Sequence, residues 1–73
     1  MDFDEWYKAL SPTLQQYVKT FAFNPTERNE GFITGYLKAS LDYGFLSISV
    51  AKFWFKWSRR VIEGTECVED YFG

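Results

Sequence analysis

Seventy-three residues with a formal net charge of −2 allow one small domain, near the lower size at which a hydrophobic core alone keeps a chain folded. The chain has no histidine and a single cysteine, Cys67, which excludes an intramolecular disulfide, a tetrahedral Cys/His zinc site and the Ser-His-Asp or Cys-His arrangements of nucleophilic catalysis. Uncharged stretches such as Tyr43 to Ala51 fall far short of the roughly 20 residues that cross a bilayer, and no charged start leads into an apolar signal-like run. The chain is therefore read as unexported, and one lone thiol fits a reducing cytoplasm.

Aromatic mass stands where other small domains place a disulfide or a metal. Eight Phe, five Tyr and three Trp, each able to bury on the order of 150–250 Å², exceed what one small interior can enclose. Some rings are expected at the surface or in an interface.

In chain order, Asp2 with Glu5 three residues on reads as a capping-box start, and Phe3, Trp6, Tyr7 and Leu10 follow at helical spacing. Ser11 then offers an N-cap with Pro12 at the first helical position, and Leu14, Tyr17, Val18 and Phe21 repeat the spacing. Asn24, Pro25 and Glu27 look like the same device again: a cap, a proline at N1 and an acid at N3. The third helix is expected to run to Gly44, with Phe32, Tyr36, Ala39 and Tyr43 on one face and Ile33, Leu37 and Leu41 beside it. Gly31, Gly35 and Ala39 form a ridge of small residues on that helix, read as a place where another part of the fold packs closely.

The fourth segment, Ser47 to about Glu63, contains KFWFKWSRR, four rings and four cations in nine positions. On a wheel of about 100° per residue, Ser49, Lys52, Lys56, Arg59, Arg60 and Glu63 fall within an arc of about 100°, leaving the rest almost wholly apolar. Ala51, Phe53, Phe55 and Trp57 also alternate with Lys52 and Lys56 as in a strand, but only a helix gathers Arg59 and Arg60 into the same stripe. A strand here would make the chain resemble a winged helix-turn-helix. Gly64 is a natural C-cap, and the acidic remainder TECVEDYFG is either a last helical turn folded back or a tail.

The five glycines make neither a dinucleotide fingerprint nor a phosphate loop. The carboxylate groups Asp2/Asp4 and Glu66/Glu69/Asp70 lie near the two ends, where capping and solvation account for them, and Cys67 sits among acids that disfavour its thiolate. Catalysis, a cofactor and a metal are accordingly not expected. If the acidic segments cluster, they would form a negative patch or cover the chain's own basic stripe.

The fold expected is an all-α bundle of four short helices, a single domain over 1–73 with 64–73 a candidate acidic tail; the α+β winged helix is the alternative. The function expected is that of a small cytoplasmic, non-catalytic interaction protein that inhibits or adapts a larger protein partner. Its contact surface is placed at Lys52, Trp54, Lys56, Trp57, Arg59 and Arg60, because interfaces favour aromatic and arginine anchors. By analogy alone, such a chain suits an inhibitor encoded by a phage or mobile element. The alternative is a nucleic-acid-binding regulator of helix-turn-helix type, with the cations on phosphates and a Trp as stacking surface, although an acidic chain fits it poorly. The surplus of rings also points to self-association; a membrane surface is not expected, since four cations beside an acidic segment make a weak interfacial pattern.

Overall fold

The computed structural model describes residues 1–44 and 46–72. Phe45, one of the surplus rings, and Gly73, the end of the acidic segment, lie outside the described residues. Among the described residues five helices follow one another: α1 (Phe3–Lys8), α2 (Pro12–Phe23), α3 (Glu27–Asp42), α4 (Ile48–Ile62) and α5 (Glu69–Phe72). No strand occurs among the described residues, so the fold is all-α.

Four of the starts are set by a side chain that accepts a hydrogen bond from an otherwise unsatisfied backbone N–H three residues on. Asp2 takes Glu5 at 2.9 Å, Ser11 takes Leu14 at 3.2 Å, Thr26 takes Asn29 at 3.1 Å and Ser47 takes Val50 at 3.4 Å. The third start corrects the sequence reading, which placed the cap at Asn24 and Pro25 inside the helix. The Asn24 N–H closes α2 onto the Thr20 and Phe21 carbonyls, while its own carbonyl accepts from the Thr26 N–H at 2.9 Å and the Asn29 side chain at 3.0 Å. Asn24 thus ends one helix, Thr26 begins the next, and Pro25 lies between them.

The ends follow from left-handed glycines. α3 stops at Asp42 ahead of Gly44, whose φ is 77°, and α4 stops ahead of Gly64, whose φ is 78°. At the second, the Thr65 N–H returns to the Arg60 carbonyl at 2.9 Å and the Gly64 N–H to Val61 at 3.1 Å, the two bonds of a Schellman ending.

Trp6, Trp54, Trp57 and Phe21 occupy the centre and are fully buried, with Leu14, Val18, Ile33, Leu37, Val50 and Val61 filling around them. Trp6 stacks on Phe53 at 4.8 Å, and Phe21 meets Trp54 edge-on at 5.0 Å. The helical spacing of α4 explains why the strand alternative fails: Val50, Trp54, Trp57 and Val61 all turn inward, whereas alternation would have put Trp54 and Trp57 on opposite faces.

Two further expectations are corrected or resolved. α3 turns Ile33 and Leu37 inward, leaving Phe32, Tyr36, Ala39 and Tyr43 exposed. The ridge of Gly31, Gly35 and Ala39 is also exposed, and a Cβ added at Gly31 or Gly35 would meet nothing within 4 Å. It therefore packs against no other part of the described chain. The acidic segment, for its part, folds back: Tyr71 and Phe72 reach Phe3 at 4.4 and 5.4 Å, closing the core over α1.

Candidate functional site

The solvent-facing side of α4 carries Ile48, Ser49, Lys52, Phe55, Lys56, Arg59 and Arg60, all exposed. Its opposite side carries the two tryptophans that the sequence placed in a contact surface. That placement is corrected: Trp54 and Trp57 are fully buried and cannot touch a partner. Trp54 donates its indole N–H to the Thr34 hydroxyl at 3.0 Å. The buried Trp57 N–H makes no hydrogen bond of normal geometry, although its ring meets the Tyr71 ring edge-on at 6.0 Å.

The four cations divide in two. Arg59 bonds Glu30 of α3 at 2.8 Å and Arg60 bonds Glu66 at 2.6 Å, so both arginines hold the fold's own elements together at the surface. Glu66 also accepts from the Tyr71 hydroxyl at 2.8 Å. The Tyr71 hydroxyl bond, with the Arg60 guanidinium assisting, holds the Glu66 carboxyl below its ordinary range, and the same bond pushes the Tyr71 hydroxyl up. Lys52 and Lys56, by contrast, have no carboxylate within salt-bridge distance among the described residues. Together with Met1, Ser49, Phe53 and Arg60 they line an open hollow of about 340 Å³.

Sequence reasoning missed the apolar component of this face. Ile48 is 65% and Phe55 40% exposed, on the side of the lysines that adjoins α3. The signal was present, since a helical wheel places Ile48, Lys52, Phe55 and Arg59 on one line at i, i+4, i+7 and i+11, but the more conspicuous tryptophans drew attention to the wrong side. The surface actually brought together is two unpaired ammonium groups beside two exposed apolar side chains. It can attract carboxylates and enclose apolar groups.

The acidic segments converge only in part. Asp2, Asp4 and Asp70 line one shallow hollow with Phe3 and Tyr71, while Glu66 is drawn away to Arg60. No group of three or more His, Cys, Asp or Glu side chains among the described residues is arranged to hold a metal ion. No helix among them is long and apolar enough to cross a membrane. Compared with models of protein families, with curated proteins and with solved structures, the chain matches none.

Proposed function

We propose that this chain is a small, cytoplasmic, non-catalytic interaction module that modulates a larger protein by docking the outer face of α4 onto an acidic surface of that partner. The observation that supports this reading is the exposure of Ile48 and Phe55 beside the unpaired Lys52 and Lys56. Apolar side chains left partly in water, as these are, gain on the order of 1 kcal/mol each when a partner encloses what remains exposed. Unpaired lysines at their edge raise the encounter rate with a negative surface and fix the orientation. Arg59 and Arg60 contribute less in this scheme, since each would first have to give up a carboxylate it already holds.

The nucleic-acid reading has weaker support. A helix-turn-helix arrangement would use α2 and α3, yet the outer face of α3 carries Glu27 and Asp42 against Arg28 and Lys38, a sum of zero that offers phosphates nothing.

The test is capture from nuclease-treated lysate of the source cells by the tagged chain, identification of the retained protein, and reconstitution of the complex from purified components. Two double variants are compared, Ile48→Ser with Phe55→Ser and Lys52→Glu with Lys56→Glu, each checked for helicity by circular dichroism. The first should abolish a 1:1 complex at any salt concentration, and the second should slow association most at low salt. A complex indifferent to both variants, or recovery of nucleic acid alone, would reject the reading.

A further inference from the structure

A second apolar face lies on α3, on the flank turned towards α2. Phe32 is 59% and Tyr36 41% exposed. Both rings meet Tyr17 of α2 edge-on, at 5.2 and 6.3 Å, which holds them upright along one flank of the helix. Open hollows lie on either side of them, one lined by Tyr17, Thr20, Asn29, Phe32 and Ile33 and the other, of about 450 Å³, by Leu10, Leu14, Tyr36, Ser40 and Leu46 among others. Next to the rings the helix surface is nearly flat, because Gly31, Gly35 and Ala39 occupy it.

The charges on this face are complementary under reversal. Arg28 and Asp42 stand equally far from Gly35 on opposite sides of it, both exposed and neither with an oppositely charged partner within salt-bridge distance among the described residues. Laying a second α3 antiparallel over the first, with the two-fold axis at Gly35, sets Arg28 against Asp42 of the second copy and Gly31 against its Ala39. It also brings Phe32 and Tyr36 of both copies onto the same flank, where the four rings interleave along the helix axis. Reversal thus pairs opposite charges at both ends of the crossing and apolar groups at its centre, and the small residues allow the two backbones to approach closely enough for the rings to meet.

We propose that this protein forms a two-fold symmetric homodimer through the outer face of α3, antiparallel and centred on Gly35. The interface leaves α4 free, so the dimer presents two copies of the α4 face. A strip of 16 residues is about 24 Å long and, one helix wide, buries well under the roughly 800 Å² per partner of a standard interface. The dimer is accordingly weak, with a dissociation constant on the order of 10–100 µM.

The experiment is sedimentation equilibrium of the full chain from about 1 µM to 1 mM, concentrations that bracket that range. The weight-average mass is expected to rise from the 8.6 kDa of one chain towards twice that value. Gly35→Lys places two like charges on the symmetry axis and should weaken association at least tenfold. Arg28→Asp alone and Asp42→Arg alone should each weaken it, and the two together in one chain should restore it. Both reversals suit the helix dipole, with the acid near the N-terminus and the base near the C-terminus, so the fold is retained. A mass fixed at one chain throughout, or association indifferent to Gly35→Lys, would overturn the proposal. Failure of the doubly reversed chain to recover would overturn the antiparallel register.

Discussion

Trp6 and Val50 are joined across most of the chain: the indole N–H of α1 donates to the Val50 carbonyl in the first turn of α4 at 2.9 Å, 44 residues away in sequence. α1 has only six residues, too few to persist alone, so this anchor and the stack of Trp6 on Phe53 position it. Trp6→Ala should cost about 3–5 kcal/mol through lost burial and the cavity left behind. A domain of this size has only about 4–11 kcal/mol in total, so that variant should be largely unfolded in mild urea by circular dichroism. Trp6→Phe keeps a ring but loses the donor, and should cost about 2–3 kcal/mol. A loss below about 1 kcal/mol for Trp6→Ala would mean that α1 is not part of the cooperative unit.

Thr34 makes a smaller contribution through one atom. Its hydroxyl is the acceptor for the buried Trp54 indole N–H, and Thr34→Val preserves the shape while leaving that donor unsatisfied. The expected cost is about 1–2 kcal/mol in urea denaturation. Combined with Trp54→Phe, the loss should fall short of the sum, giving a coupling of at least about 0.5 kcal/mol; strict additivity would show that the bond contributes nothing.

Legibility in the sequence tracked how local the determining physics was. The caps at Asp2 and Ser11 and the stop at Gly64 could be read directly, because each depends on atoms within five residues. The start of α3 was misplaced because Asn24 and Thr26 are both competent caps, and the choice depended on α2 taking Asn24 for its own ending. The inward side of α3 was not legible at all. That helix has apolar residues in nearly every direction, and only its packing against α2 and α4, whose residues lie far away in sequence, makes Ile33 and Leu37 the buried pair. The cations of α4 were legible as a stripe, but their division was not, since the acids that bind Arg59 and Arg60 come from α3 and from the segment before α5.

The glycines separate into two kinds with opposite responses to the same substitution. Gly35 lies inside α3 with open space around it, so Gly35→Ala should stabilise the monomer by about 0.5–1 kcal/mol, by restricting the unfolded chain and improving helix propensity. Gly64 has a φ of 78°, where an alanine Cβ crowds the backbone, and Gly64→Ala should destabilise by about 1 kcal/mol or more despite equally open surroundings. Thermal unfolding at low micromolar concentration, where association does not contribute, gives both signs. Two changes of the same sign would contradict the distinction.

The bond between Glu66 and Tyr71 gives stability a dependence on pH at both ends of the scale. The Tyr71 hydroxyl bond and the Arg60 ion pair hold Glu66 below its ordinary value of 4.5. The folded state therefore binds this proton less readily than the unfolded chain, and the stabilisation is complete above 4.5 and lost as pH falls through the lower folded value. Tyr71 runs the other way: its pKa is raised above 10.0, so its contribution is complete below 10.0 and lost as pH rises through the folded value. Arg60 is 45% exposed on its side chain, so solvent screening keeps the ion-pair part below about 1 kcal/mol. In urea titrations Glu66→Gln should lie below the parent at neutral pH, and the gap should close in acid as the parent carboxyl gains its proton. Absorbance titration should show Tyr71 ionising later than it does in the Glu66→Gln variant. A gap that stays constant from neutral pH into acid would mean that the Glu66 carboxylate charge does not hold the C-terminal segment onto α4.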